Sequence, residues 1–244
     1  MNIWLYIIGI SIGELVTSFV SPQGGIVIHI VLLLLLLIHS LIESEHPIHQ
    51  VYLTLTIAPL IRIISLSMPL YPFPQLYWYL ITSIPLFVGV ISITRILGYR
   101  AKDIGLTMKG IVIQILTGIT GIGFGYIEYL ILHPKPLIEH ISLNSIFIPA
   151  LILIFSTGFA EELAFRGMMQ KAFYEVMNKY GILAVSIVFA SLHIGHLSLI
   201  DVIFVFGVAI FFSIIVLKTK SIIGVALAHG ITNVTLYLIW PFIL

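Results

Sequence analysis

Residues 26–42 read IVIHIVLLLLLLIHSLI, an apolar run that contains no Asp, Glu, Lys or Arg. The hydrocarbon core of a bilayer is about 30 Å thick, and a helix needs about 20 mostly apolar residues to cross it. A transmembrane β-strand would instead alternate polar and apolar residues over about 10 positions. Residues 30–38 show no such alternation. This stretch therefore predicts a transmembrane α-helix.

Similar apolar runs continue to the end of the chain. They cover residues 3–20, 26–42, 51–68, 76–97, 111–132, 143–170, 182–196, 199–217 and 222–240. The pattern predicts an all-α, polytopic transmembrane bundle of about eight or nine helices. Within the fifth run, Gly121, Gly123 and Gly125 indicate close helix packing, because no strand precedes them as a phosphate-binding loop would require.

The composition of the 244 residues excludes several classes of protein. Hydrophobic residues make up 60% of the chain and charged residues 9%, whereas a soluble domain carries about 25% charged residues. The mean hydropathy is +1.18. A net charge of +1 gives no basic surface for nucleic acid, and the absence of cysteine excludes thiol catalysis and disulfides. We expect the lipid bilayer as a partner and no nucleic acid.

The basic residues predict the orientation of the chain. Lys and Arg cluster between the fourth and fifth runs, between the sixth and seventh, and between the eighth and ninth. Along the chain, these loops alternate with loops that are poor in Lys and Arg, as the positive-inside rule requires. We therefore expect an integral protein of the plasma membrane, with these three loops in the cytoplasm.

Six charged residues lie inside the apolar runs and away from their ends, where each costs at least about 2.5–3.5 kcal/mol on insertion scales. The other 15 charged residues fall in loops or at the edges of the runs. Three of them, Glu14, Arg62 and Glu128, are scattered singly. We expect interhelical pairs or solvated helix edges for these three.

The other three buried charges lie close together at Glu161, Glu162 and Arg166. Arg166 follows Glu162 by four residues, so these two side chains can pair on one helix face. Glu161 is five residues from Arg166 and points elsewhere. This arrangement predicts a free carboxylate that is available as a base.

Three of the nine histidines, His193, His196 and His229, lie in the last three runs. His229 and Asn233 are four residues apart and share a helix face. At 1.5 Å per residue, Glu161, His193 and His229 lie roughly 15, 18 and 12 Å from the predicted cytoplasmic face. This common depth predicts a site within the bundle. His196 lies one turn farther out and is the weaker candidate.

Two further histidines, His29 and His39, flank the leucine run of the second segment. We expect both side chains to face the lipid headgroups.

Three motifs appear in order along the last part of the chain. They are Glu161-Glu162-x-x-x-Arg166, Phe189-x-x-x-His193 and His229-x-x-x-Asn233. Together they resemble the signature of the CAAX-protease and bacteriocin-processing family, also called the abortive-infection family, of intramembrane proteases. The resemblance covers about residues 148–233, and residues 102–106 resemble the lead-in to the family core. It implies a variable N-terminal helical region over residues 1–100 and a catalytic core over residues 101–244.

The resemblance also implies roles for individual residues. Glu161 and His193 would activate water, His229 and Asn233 would stabilise the oxyanion, and Arg166 would hold Glu162. The implied substrate is a membrane-associated peptide or protein, such as a prenylated CAAX-type tail, that enters from the cytoplasmic side.

The role of a metal stays open at this point. Two histidines and a glutamate can bind zinc and leave a position for water, so Glu161, His193 and His229 are the candidate ligands of a metalloendopeptidase. The HExxH sequence of many zinc proteases is absent, and we favour a glutamate mechanism that requires no cofactor.

Two other functions compete with proteolysis. One is a non-catalytic membrane scaffold or bacteriocin-immunity protein of the same fold. The other is a transporter whose buried Glu and His side chains relay protons.

Overall fold

The structure is a computed structural model that describes residues 3–70 and 72–244. Within these residues it contains nine helices and no strand. They are α1 (Ile3–Phe19), α2 (Pro22–Ile42), α3 (His49–Leu70), α4 (Gln75–Ile96), α5 (Ile111–Leu132), α6 (Leu143–Met177), α7 (Lys179–His196), α8 (Leu199–Thr219) and α9 (Ile223–Ile243). Eight of the nine are long and apolar enough to cross a membrane, and α1 is shorter. The predicted all-α membrane bundle is confirmed.

Helix α6 is longer than the sequence predicted: it continues past residue 170 and ends at Met177. Its last turns are amphipathic, with Phe173 and Met177 buried while Lys171 and Glu175 form an ion pair on the other side. A prediction based on apolar runs does not detect an amphipathic segment of this kind. The helix has 35 residues and is therefore roughly 52 Å long, which exceeds the thickness of a bilayer core.

Helix α2 begins four residues before the predicted start, at Pro22. The hydroxyl of Ser21 accepts a hydrogen bond from the backbone N–H of Gly24 at 3.1 Å. Proline at the first helical position and a serine cap favour a helix start, so the break between α1 and α2 is very short.

Helices α5 and α9 pack closely through the glycines of α5. A Cβ on Gly121 would overlap the carbonyl oxygen of Ala228, and one on Gly125 would lie 2.6 Å from the carbonyl oxygen of Thr232. The predicted close packing is confirmed for these two positions. Gly123 faces open space.

The three basic loops lie together at one end of the bundle, which we call the basic end. The backbone N–H of Ile222 donates to the carbonyl of Gly105 at 3.0 Å, and the Ser221 hydroxyl donates to the carbonyl of Thr107 at 2.6 Å. Lys102, Lys171 and Lys220, one from each loop region, line a common cavity. The predicted alternation of the loops therefore agrees with the fold.

Glu14 and Arg62 form an interhelical ion pair, which is one of the two arrangements expected for them. The Arg62 Nε lies 2.6 Å from Glu14 Oε1, and the His29 Nε2 lies 3.1 Å from the same oxygen. His29 is completely buried, so its predicted headgroup position is wrong. A carboxylate inside the bundle needs polar partners, and His29 on α2 supplies one. His39 is half-buried and contacts the Tyr6 hydroxyl.

Candidate active site

Helix α6 departs from regular α-helix on both sides of the two adjacent glutamates. Ile154–Phe159 and Leu163–Met169 are π-helical, and Ala160–Glu162 between them is α-helical. Short π-helical turns occur often at functional sites. A Cβ on Gly158 would lie 2.6 Å from the carbonyl oxygen of Ala226, so the absence of a side chain brings α6 and α9 into close contact here.

Glu162 and Arg166 form the predicted pair, with 3.0 Å between Arg166 Nη1 and Glu162 Oε1. Both side chains are fully buried. The guanidinium carbon also lies 3.9 Å from the centre of the Phe189 ring. The same Glu162 oxygen accepts a hydrogen bond from His229 Nδ1 at 2.9 Å. Glu162 therefore connects α6 to the histidine of α9.

Glu161 points away from Arg166, as predicted, and lines a cavity of about 240 Å³ inside the bundle. Its Oε2 lies 4.0 Å from His229 Nε2, and its side chain is 30% exposed to the cavity. Within the described residues its carboxylate has no close hydrogen-bond partner, so it can bind water.

His193 lies in the turn that follows the α-helical part of α7, which ends at Ser191. Its Nδ1 is 3.0 Å from the carbonyl oxygen of Phe189. A carbonyl only accepts hydrogen bonds, so Nδ1 carries the proton and the Nε2 of a neutral ring keeps a free lone pair. The Phe189 ring packs against the rings of His193 and His229 at 5.0 and 5.9 Å. The motif phenylalanine thus orients both histidines.

Asn233 is held by Thr157, a residue that the sequence analysis did not single out. The Asn233 Nδ2 donates to Thr157 Oγ1 at 2.8 Å, and that hydroxyl donates to the carbonyl of Leu153 at 2.5 Å. Thr157 precedes Glu161 by four residues on α6, so its position on the same helix face was a signal available in the sequence.

The structure brings the four candidate catalytic side chains to one cavity. Glu161, His193, His229 and Asn233 all line it. The two supporting residues, Glu162 and Arg166, lie behind its wall. The common depth inferred from helix lengths therefore corresponds to proximity in three dimensions.

Several other polar side chains line the same cavity. Arg62, Glu128 and His196 are among them, and Arg62 is the single Lys or Arg side chain in the lining that the structure describes. Arg62 and Glu128 were recognised as charges at membrane depth but not as parts of the site, because their helices are far from the motifs in sequence. Asp201 is buried in the first turn of α8.

Residues 143–235 match the family model described as type II CAAX prenyl endopeptidase Rce1-like. The match covers less than half of the chain. All three sequence motifs fall inside the matched residues, so the resemblance stated from the motifs is confirmed. No curated protein and no solved structure matches the chain.

Over these residues the chain is similar to a family of CAAX-type endopeptidases. The match begins at the first residue of α6, so the domain boundary at residue 100 stays a prediction.

Proposed function

We propose that the chain is an intramembrane endopeptidase in which Glu161 and His193 activate a water molecule. The observation that supports this most directly is the cavity in which Glu161, His193, His229 and Asn233 meet. A carboxylate without a close hydrogen-bond partner and an imidazole with a free Nε2 are groups that can bind water and remove its proton.

In the first step, Glu161 takes a proton from water and the resulting hydroxide attacks the carbonyl carbon of the scissile peptide. The carbonyl π electrons move to oxygen and form a tetrahedral oxyanion. His193 positions the water through Nε2. In the second step, the oxyanion re-forms the carbonyl double bond while Glu161 gives the proton to the leaving nitrogen, and the C–N bond breaks to give a carboxylic acid and an amine. The acid then passes its proton to the amine, which leaves a carboxylate and an ammonium group.

The oxyanion would lie between His229 and Asn233. One Asn233 N–H is bound to Thr157, which leaves its second N–H as a donor. His229 directs Nδ1 to Glu162, so donation from Nε2 requires the doubly protonated imidazolium. Two neighbouring carboxylates compensate that charge. Donors fixed in advance at the developing charge contribute about 10²–10³ each to the rate.

Zinc at Glu161, His193 and His229 is the alternative mechanism. Two ligands of one tetrahedral zinc ion lie about 3.3–3.6 Å apart, so the 4.0 Å between Glu161 Oε2 and His229 Nε2 would shorten by about half an ångström on binding. A bound ion would acidify the attacking water. We favour the metal-independent mechanism because protein groups already supply both the base and the oxyanion donors. Elemental analysis together with activity after chelation distinguishes the two.

Arg62 supports a substrate that ends in a free carboxylate. It supplies guanidinium N–H donors in the lining of a cavity that also contains many aromatic and aliphatic side chains, and Glu14 binds its Nε. We therefore propose a prenylated CAAX-type tail as the substrate, with its C-terminal carboxylate near Arg62. A carboxylate away from water needs such a partner.

The decisive experiment compares cleavage of four peptides by purified protein in detergent. The peptides are prenylated or unprenylated, each with a free or an amidated C-terminus. Glu161→Gln should reduce kcat by about 10²–10⁴, whereas Glu175→Gln on the same helix is the control for the same chemical change. Arg62→Gln should remove the preference for the free carboxylate.

Full cleavage by Glu161→Gln would refute the assignment. A folded wild-type protein that cleaves none of the peptides and no other membrane-associated peptide would instead support the scaffold function.

We further propose that the basic end faces the cytoplasm of a plasma-membrane protein and that substrates enter there. The chain has no cysteine, so single cysteines report topology directly. With a membrane-impermeant maleimide, Lys220→Cys should react after permeabilisation alone, whereas His140→Cys in the opposite loop should react in intact cells. The reverse pattern would contradict the proposed orientation.

A further inference from the structure

Three helices contribute one metal-ligating side chain each at the wall of the cavity. They are Glu128 of α5, His196 at the end of α7 and Asp201 in the first turn of α8. Their potential ligand atoms all lie within 4.8 Å of one another. Glu128 and His196 also line the cavity, so water has access to this point.

The charges in this cluster are not balanced by the surrounding protein. Asp201 is fully buried, and its Oδ1 has no hydrogen-bond partner although its Oδ2 is bound to His196 Nδ1 at 2.8 Å. Glu128 is 7% exposed. Two carboxylates at this separation repel each other strongly when they are removed from water, and one imidazolium compensates a single charge. Arg62 is already paired with Glu14.

We propose that Glu128, His196 and Asp201 bind a divalent transition-metal ion. One imidazole nitrogen and two carboxylate oxygens suit zinc or manganese better than magnesium or calcium, which prefer oxygen ligands alone. The ligand atoms of one tetrahedral ion lie about 3.3–3.6 Å apart, so side-chain movements of about an ångström bring the three into place. Water from the cavity completes the coordination.

The ion would connect α5, α7 and α8 beside the active site. The rings of His193 and His196 are 5.4 Å apart, and both belong to the turn that ends α7. A metal bound to His196 therefore fixes the turn that carries His193. This site is distinct from the zinc alternative at Glu161, His193 and His229, and it does not depend on the proposed protease activity.

The test is a titration of the metal-stripped, full-length protein in detergent with Zn²⁺ and with Co²⁺, whose visible absorption reports an imidazole–carboxylate site. Wild type should bind one ion. His196→Ala and Asp201→Asn should bind at least about 10–100-fold more weakly. Glu161→Gln and His229→Ala should keep wild-type affinity.

Thermal unfolding in detergent supplies a second measurement. Zinc at 100 times Kd should raise the Tm of wild type by about 5–10 °C and leave that of Asp201→Asn unchanged. Should His196→Ala and Asp201→Asn fail to fold, Glu128→Gln serves as the deciding variant.

Absence of saturable binding to wild type would overturn the proposal. Loss of binding in Glu161→Gln or His229→Ala, with binding retained in His196→Ala, would place the ion at the catalytic residues and would equally overturn it.

Discussion

Arg166→Met is expected to destabilise the protein strongly while it preserves much of the side-chain volume. Arg166 and Glu162 are completely buried, and 3.0 Å separates Arg166 Nη1 from Glu162 Oε1. After the substitution, Glu162 keeps one hydrogen bond, from His229 Nδ1, and no permanent positive partner. Its second oxygen already lacks a hydrogen bond in the wild type.

The size of the expected destabilisation follows from the burial of both charges. Removing one partner of a buried ion pair costs about 3–5 kcal/mol, because the other charge is left uncompensated. For a chain of this size that corresponds to a fall in Tm of about 6–20 °C. Methionine replaces part of the contact of Arg166 with Phe189, so the lost charge dominates the effect.

Lys171→Met on the same helix is the matched control. Lys171 pairs with Glu175 at the same spacing of four residues, but this pair is partly exposed. Such pairs contribute about 0.3–0.5 kcal/mol. Unfolding in mild detergent, followed by tryptophan fluorescence, measures both variants. The double variant Glu162→Gln/Arg166→Met should recover part of the loss, because no buried charge then remains unpaired.

The reasoning would be refuted if Arg166→Met lowered the Tm no more than Lys171→Met does. It would also be refuted if the double variant were less stable than Arg166→Met alone.

Two further predictions concern α5 and Asn233. Gly121→Ala should destabilise the protein by about 1–3 kcal/mol, because the added Cβ would overlap the Ala228 carbonyl. Gly123→Ala adds a Cβ that has no other atom within 4 Å, so it should leave the stability unchanged or raise it by up to about 1 kcal/mol. Equal Tm values in detergent would contradict this. Thr157→Val should lower kcat about fivefold at unchanged KM, because Asn233 loses a hydrogen bond worth about 1 kcal/mol. Thr157→Ser should restore kcat, and a change in KM alone would exclude the positioning role.

The sequence predicted the helices well because a membrane imposes a simple rule on length and polarity. Where that rule does not apply, prediction failed. The last turns of α6 are amphipathic rather than apolar, so the apolar run did not include them. His29 was assigned to the headgroups because the partner that buries it, Glu14, belongs to another helix.

The candidate site was partly predictable, because one of its side-chain pairs lies within a single helix. Glu162 and Arg166 pair within one helix, so helix geometry alone identified them. The motifs also placed Glu161, His193 and His229 at one depth, although depth does not define the angle around the bundle. Thr157 and Arg62 were missed as site residues because their partners, Asn233 and Glu14, are distant in the chain. Asp201 was missed although its partner His196 is only five residues away, because a turn between two helices brings them together.

The sequence by itself determined that this protein is a helical membrane bundle with an ionisable cluster on α6. Helix formation and insertion depend on local hydrophobicity and on charges a few residues apart. The tertiary structure alone decided that Glu161, His193, His229 and Asn233 share one cavity, that Arg62 enters it, and that Glu128, His196 and Asp201 converge on its wall. These relations depend on how the helices are rotated and packed, which glycine contacts and buried ion pairs between distant segments determine.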